Sequence, residues 1–161
     1  MSDTPAELHP APANPRLRWT FTLKATFDLT LSHATGVGER GFLRVSAGTV
    51  DGPSLRGLLS PQAGDWPLLR ADGVMESDAR FVIKADDGQH VYMRSRGFVL
   101  GDDAEQVLRA DGNADPEPAH IRCSVQFDAS VGPHQWMTRA VFVGTGRLTR
   151  SETVIDIFEM T

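Results

Sequence analysis

Two runs of alternating apolar and polar residues flank a short Asp-Gly turn, and this pattern constrains the fold more than any other feature. Side chains of a β-strand point to opposite faces in turn, with a period of two residues. Residues 75–84 and 90–96 both alternate in this way, and the turn between them is Asp86-Asp87-Gly88. The sequence therefore predicts a long β-hairpin with one apolar face and one charged face.

The length of the turn decides which residues of the two strands lie opposite each other. A two-residue Asp-Gly loop would put Phe81 opposite Arg94 and mix the two faces. A three-residue loop with Gly88 in the left-handed conformation pairs Phe81 with Met93 and Arg80 with Arg94. We therefore predict the three-residue loop. It collects the following residues on the charged face: Asp78, Arg80, Tyr92, Arg94 and Arg96.

The rest of the chain also has the pattern of strands separated by turns. Apolar and polar residues alternate throughout residues 17–29, which is typical of a long strand with one buried face. Further strands are predicted at 42–50, 54–60, 120–127, 136–147 and 152–160. One helix is predicted at 102–110, where Asp102 and Glu105 have capping-box spacing.

This order of elements predicts an all-β fold. About 8–10 strands with one short helix indicate a sandwich or a closed barrel rather than alternating strands and helices. The length of the first strand favours a single, strongly bent antiparallel β-barrel. A barrel of this size can hold one small ligand.

Composition sets the limits on domain number and partners. The chain has 161 residues, 40% of them hydrophobic and 23% charged, as expected for one globular domain. Residues 1–15 are rich in Pro and Ala and are predicted to form a disordered tail, and residues 16–161 to form the barrel domain. A net charge of −5 argues against a nucleic-acid partner, because nucleic-acid-binding surfaces are usually basic.

Other motifs predict no membrane span, secretion signal, metal site or cofactor. Apolar runs are too short to cross a membrane, so we expect a cytoplasmic protein. The single cysteine, Cys123, lies on an apolar strand face, and the five histidines lack metal-ligand spacing. Residues 36–41 match the dinucleotide fingerprint G-x-G-x-x-G, but a strand follows instead of the required helix. We interpret this motif as a β-turn.

The charged face of the hairpin has two alternative environments. In antiparallel sheets the charged face is usually solvated, which would place Phe81 and Met93 inside the barrel. In the alternative, arginines line an internal cavity, where they need paired partners. There they would bind a carboxylate, phosphate or enolate oxygen through forked donors. The apolar face would then point outward and need a cover, which predicts a homo-oligomer.

Short motifs along most of the chain resemble the DUF3237 (UPF0311) family. The first motifs are G-P-S-L-R-G at 52–57, G-D-W at 64–66, R-A-D-G at 70–73, D-A-R at 78–80 and D-D-G with Tyr92 at 86–92. The later ones are Arg122 before Phe127, Trp136-Met137-x-Arg139 and Phe142-Val143-x-x-Gly146. The resemblance covers roughly residues 17–160 and implies a small antiparallel β-barrel of poorly defined function. The chain departs from the family pattern at Cys123-Ser124, where threonine is common, and at Phe81, where tyrosine is common.

The resemblance also implies functional positions and favours the charged face as a cavity lining. The family's recurring positions correspond to Asp65, Trp66, Asp78, Arg80, Tyr92, Arg122, Trp136 and Arg139. With Arg94 added from the hairpin register, the predicted ligand-binding residues are Trp66, Arg80, Tyr92, Arg94, Arg122, Trp136 and Arg139. Asp78 and Asp65 are the candidate catalytic bases.

Three functions are compatible with this pattern. The first is a small-molecule-binding barrel that accepts an acidic or carbonyl-bearing organic ligand in a cavity lined by Arg, Tyr and Trp. The second is a cofactor-independent isomerase, cyclase or lyase that uses an Asp base with Arg and Tyr oxyanion donors. The third is an oligomer-forming module whose charged faces are solvated. The state of Asp78 separates the first two, since a carboxylate engaged by arginines is a poor base at neutral pH.

Overall fold

The described residues form a single antiparallel sheet of ten strands that curls on itself. The computed structural model describes residues 13–101, 119–149 and 152–161. The strands are β1 (Leu17–Thr35), β2 (Gly38–Asp51), β3 (Gly57–Leu59), β4 (Gly64–Asp65), β5 (Leu68–Arg70), β6 (Met75–Ala85), β7 (His90–Leu100), β8 (Ala119–Ala129), β9 (Val141–Leu148) and β10 (Glu152–Met160). A short 3-10 helix, Gln135–Arg139, lies between β8 and β9. The all-β prediction is confirmed.

The strand pairings run around the whole sheet and return to their starting point. From β1 the order is β10, β9, β8, β7 and β6. The short strands β3, β4 and β5 then join β6 to β2, and β2 pairs with β1. Because three short strands replace one long one here, the barrel is less regular between β2 and β6 than elsewhere.

Several predicted boundaries differ from those observed. The first strand continues to Thr35, beyond the predicted end at residue 29, and a hairpin turn at residues 36–37 connects it to β2. Of the three fingerprint-like glycines, Gly36 lies in the turn, whereas Gly38, with a φ of 141°, and Gly41 lie in β2. A strand follows the motif, as predicted. Residues 136–139, predicted as the start of a strand, belong instead to the 3-10 helix, whose Met137 is buried in the core. The predicted helix at 102–110 and residues 1–12 of the tail lie outside the described residues.

The central hairpin of β6 and β7 has the predicted register. Asp78 lies opposite Arg96, Arg80 opposite Arg94, and Phe81 opposite Met93. The turn has three residues, and Gly88 has a φ of 86°, in the left-handed region that favours glycine. The hydrophobic pattern and the turn chemistry together were sufficient to define this pairing.

The apolar face of that hairpin points into the barrel. Phe81, Ile83, Val91 and Met93 are each at most 1% exposed and belong to one hydrophobic core. Aromatic rings fill its centre, with Phe127 packed edge-on against Phe142 at 4.9 Å between ring centroids. The barrel interior beside this hairpin is therefore packed with apolar side chains.

The prediction that the charged face lines an internal cavity is wrong. Asp78, Arg80, Arg94 and Arg96 lie on the outer face and keep between 23% and 62% of their side-chain surface exposed. Burying them would leave more guanidinium groups than carboxylates in a low-dielectric interior, at a large desolvation cost. The argument for a homo-oligomer from outward-facing Phe81 and its neighbours falls with it, and oligomerisation stays a prediction. In the described part of the chain, no helix is long and apolar enough to cross a membrane.

The orientation of the hairpin predicts that truncating two neighbouring residues has very different costs in stability. Replacing Phe81 by Ala should cost about 3–5 kcal/mol of unfolding free energy, because it removes a buried ring and leaves a cavity. Replacing Val82, on the outer face, by Ala should cost less than about 1 kcal/mol. Urea unfolding of both variants measures the difference. A larger loss for Val82→Ala than for Phe81→Ala would mean that the hairpin is turned the other way.

Candidate functional site

Three arginine side chains converge on one carboxylate on the outer face of the central hairpin. Asp78 Oδ2 lies 3.5 Å from Arg80 Nη2, 3.3 Å from Arg94 Nη2 and 3.3 Å from Arg96 Nη2. The hairpin register produces this arrangement, because Arg96 is directly opposite Asp78 and Arg80 is directly opposite Arg94. One carboxylate balances one of the three guanidinium charges, so the cluster has an excess of positive charge.

This cluster borders a groove on the outside of the barrel with a volume of about 370 Å³. We call it the outer groove. It is lined by Arg40, Trp66, Glu76, Ser77, Asp78, Arg96, Gly97 and Phe98. The lining comes from β2, β6, β7 and the residue that follows β4. The groove thus lies where the three short strands bring β2 close to β6.

Trp66 and Phe98 give the outer groove its apolar walls. Trp66 packs on Phe42 with 4.7 Å between ring centroids, and the Arg80 guanidinium lies 5.2 Å from the centroid of the Trp66 ring. The Trp66 backbone N–H also donates to the Asp78 carbonyl oxygen at 3.2 Å. Both aromatic residues stay accessible, with 41% of Trp66 and 47% of Phe98 exposed. Flat apolar surface and forked cationic donors therefore lie side by side.

Asp78 is held as a carboxylate. Partial burial raises its pKa, but a hydrogen bond from Arg94 and the charges of Arg80, Arg94 and Arg96 outweigh burial, so the pKa lies below the ordinary value for aspartate. A carboxylate in this state is a poor proton acceptor at neutral pH. This geometry therefore fits a carboxylate that orients the arginines better than the predicted catalytic base.

Asp65 has the opposite environment. It is only 9% exposed, and it accepts hydrogen bonds from Ser77 Oγ at 2.8 Å and from the Asp78 backbone N–H at 2.9 Å. Burial raises the pKa of Asp65 to about 6, against the lowering effect of these hydrogen bonds. Asp65 therefore titrates close to neutrality and lies directly behind Ser77, which lines the outer groove.

The remaining predicted residues lie elsewhere on the barrel. Tyr92 and Arg94 border a second depression of about 420 Å³ beside the 3-10 helix. Arg122 lies on the outer face of β8, and Arg139 is exposed on the 3-10 helix. Trp136 packs against Phe142 at 5.7 Å between ring centroids, at the edge of the core. The structure therefore brings together Trp66, Asp78, Arg80 and Arg94, with Asp65 behind them, and leaves Arg122, Trp136 and Arg139 outside the outer groove.

Sequence reasoning missed part of the groove lining. Arg40, Glu76, Ser77, Gly97 and Phe98 were not selected, and Arg96 was placed in the charged cluster without a ligand role. The hairpin register contained the signal for Arg96 and Glu76, since both share the face of Asp78. Arg40 comes from β2, which no local pattern connects to this hairpin. Among the described residues, no group of three or more His, Cys, Asp or Glu side chains could hold a metal ion.

The environment of Cys123 is not that of a reactive thiol. It is buried, and it faces the same side of the sheet as Val125 and Ile121. Burial raises the pKa of the Cys123 thiol and outweighs the lowering effect of a hydrogen bond with Ser95. The thiol is therefore protonated and unreactive at neutral pH, as expected for a small core residue.

The raised pKa of Asp65 predicts a specific dependence of stability on pH. Between about 4, the ordinary aspartate pKa, and about 6, the folded protein binds this proton more tightly than the unfolded chain does. The free energy of unfolding should therefore fall as pH rises through this window. Across this window, we expect the free energy of unfolding of the wild type to fall by up to about 3 kcal/mol more than that of Asp65→Asn. Urea unfolding from pH 4 to pH 7 measures the loss.

The matched control for this experiment is Asp86→Asn in the exposed β6–β7 turn. It should show the same pH profile as the wild type, because it changes an exposed side chain in the turn and leaves Asp65 and its hydrogen bonds unchanged. Parallel profiles for the wild type and Asp65→Asn would show that Asp65 is not desolvated.

Comparison with known proteins identifies relatives over nearly the whole chain. A UPF0311 protein from Rhodopseudomonas palustris is 26% identical over 145 residues, which is 89% of this chain and 95% of the relative. A crystal structure of a conserved protein of unknown function from the same species superposes with a TM-score of 0.81 at 24% identity. It covers 93% of this chain and 100% of that structure. A β-barrel-like protein from Acinetobacter baumannii superposes with a TM-score of 0.76 at 21% identity, over 96% of this chain and 100% of that one.

The family model agrees with these relatives and with the resemblance seen in the sequence. The model for a protein of unknown function, DUF3237, matches residues 15–160. The match includes the strands that carry the outer groove and those on the opposite side of the barrel. The chain therefore belongs to the DUF3237 family of β-barrel-like proteins, whose function is unknown.

Proposed function

We propose that the protein binds a small organic anion in the outer groove. The observation that carries this proposal is the convergence of three arginines on a single carboxylate beside two exposed aromatic rings. A guanidinium group offers several N–H donors in a planar fork, and one carboxylate cannot satisfy three such forks. The donors that remain are suited to a carboxylate, a phosphate or an enolate oxygen.

Arg96 is the residue best placed to receive the anionic group. Its side chain is 62% exposed, whereas those of Arg80 and Arg94 are 38% and 33% exposed. Asp78 contacts Arg96 from one side and orients it, so the arginine loses less conformational freedom when a ligand arrives. Arg40 lines the same groove from β2 and adds a further positive charge.

Trp66 and Phe98 favour a ligand that has an aromatic or other apolar body. Both rings line the outer groove next to Arg96. Their exposed surfaces would be covered by a ligand, which adds apolar burial to the ionic contact. Binding sites commonly combine such walls with a few oriented polar groups.

A second candidate function rests on Asp65. Its pKa of about 6 is suited to general acid–base catalysis, and its hydrogen-bond partner Ser77 lines the outer groove. This arrangement favours the alternative of a cofactor-independent isomerase, cyclase or lyase with Asp65, and not Asp78, as the base. Arginine would stabilise the developing negative charge. Asp65 would act on a ligand through its hydrogen bond with Ser77, because the carboxylate itself is largely buried.

Binding of benzoate tests the proposal. Isothermal titration calorimetry at low salt should detect binding to the wild type, and Arg96→Met should weaken it by about tenfold or more through loss of a charge-assisted hydrogen bond. Trp66→Ala should also weaken binding, because it removes apolar contact area. Raising the salt concentration should lower the affinity of the wild type, since the site is exposed.

Arg56→Met is the matched control. Arg56 is 67% exposed and also contacts one aspartate, Asp51, but it lies at the other end of the hairpin and does not line the outer groove. This variant should bind benzoate like the wild type. If Arg56→Met and Arg96→Met reduce binding equally, the effect is one of overall charge and the proposed site is incorrect.

A further inference from the structure

The outer groove continues into a second, more apolar groove on the neighbouring strands. This second groove, which we call the apolar groove, has a volume of about 690 Å³. It shares Arg96, Gly97 and Phe98 with the outer groove and extends over the outer faces of β8, β9 and β10. The two depressions therefore meet at β7, with the Arg96 guanidinium at their common border.

The strand register aligns the groove residues in one row across the sheet. Asp78 lies opposite Arg96, Arg96 opposite Ser124, and Ser124 opposite Val143. The row ends on Phe158, which lies opposite Val143. Adjacent strands are about 4.8 Å apart, so the three spacings from the cationic Arg96 to the apolar Phe158 span about 14 Å.

The shape of this row comes from small residues between larger ones. Ser124 has a short side chain, so the floor of the groove stays low. Gly97 and Gly144 contribute only backbone to the lining, because both lie opposite the inward-facing Cys123. Glycine at position 97 lets β7 and β8 approach closely, since a Cβ atom there would come within 1.9 Å of the Arg122 carbonyl oxygen. Leu17 and Phe98 rise at the sides, and Leu17 is 55% exposed. Apolar surface of this kind, continuous with a cationic site, is suited to the hydrophobic part of an anionic ligand.

We propose that the ligand of the outer groove is amphipathic, with its anionic head at Arg96 and an elongated apolar body that crosses Ser124 to reach Val143 and Phe158. This inference rests on the proposed function, because the head group occupies the same site. It adds the substrate class: an anion whose apolar part is longer than a single ring. Arg122, opposite Phe98 on β8, adds a second positive charge at the side of the apolar groove.

The test compares linear carboxylates of different length. Butanoate should reach only the outer groove, whereas octanoate should extend over the apolar groove. The four additional methylene groups should raise affinity by about tenfold or more, even with incomplete burial. Val143→Ser should remove most of this gain and leave butanoate binding unchanged. Chemical shift titration measures both affinities and shows whether the signals of Val143 and Phe158 move with octanoate.

Val141→Ser is the matched control. Val141 is on the same strand and the same face as Val143, it is 62% exposed, and it does not line the apolar groove. It should retain the wild-type preference for octanoate. Thermal unfolding of both variants shows whether either substitution destabilises the whole fold. The chemical shift changes of the wild type on addition of octanoate are a second readout that needs no substitution.

The remaining outcomes of the carboxylate comparison distinguish failure of this inference from failure of the proposed function. If both carboxylates bind with equal affinity and both require Arg96, the apolar groove is not used and this inference fails while the proposed function stands. If neither binds, the proposed function fails as well. If octanoate binds equally well to Arg96→Met, the head group is placed wrongly and the inference is overturned. If light scattering shows a dimer that Val143→Ser dissociates, a second copy of the chain covers the apolar groove instead.

Discussion

In a β-barrel that closes through its own hydrogen bonds, each strand side chain points either into the interior or out to the surface. This constraint governs the rest of the structure. Alternation along β6 and β7 commits one face of the hairpin to the interior, where Phe81 and Met93 pack with the other core residues. The charged face must then remain outside. Arginines and carboxylates there keep contact with water, so an excess of positive charge is tolerated that the interior would not accept.

The same constraint separates two carboxylates that are thirteen residues apart in the chain. Asp78 points outward, and its arginine partners hold its pKa below the ordinary value. Asp65 lies on the inner side of the short strand β4, and burial raises its pKa to about 6. A hydrogen bond from the Asp78 N–H to Asp65 connects the two sides. The proposed binding role and the proposed acid–base role therefore belong to different residues, because the two side chains point in different directions.

The proposed binding site lies on the outside of the barrel because the interior is filled. Large side chains such as Phe21, Phe127 and Phe142 occupy the core, and surface for a ligand is found where strands are short or carry small residues. The outer groove forms beside β3, β4 and β5, and the apolar groove forms over Gly97, Ser124 and Gly144. Both depend on local departures from a regular, fully covered sheet.

The sequence by itself determined the long strands but not β4 or β5. It also determined the three-residue turn and the pairing of Asp78 with Arg96, because period-two alternation and turn chemistry are local properties. It also indicated the family through motifs along the chain. Only the tertiary structure decided that the charged face lies outside, that Arg40 joins Arg96, and that Trp136 and Arg139 lie elsewhere. The physical reason is that an alternating strand has two faces, and the choice between them depends on what the other strands pack against. That information is spread over the whole closed sheet.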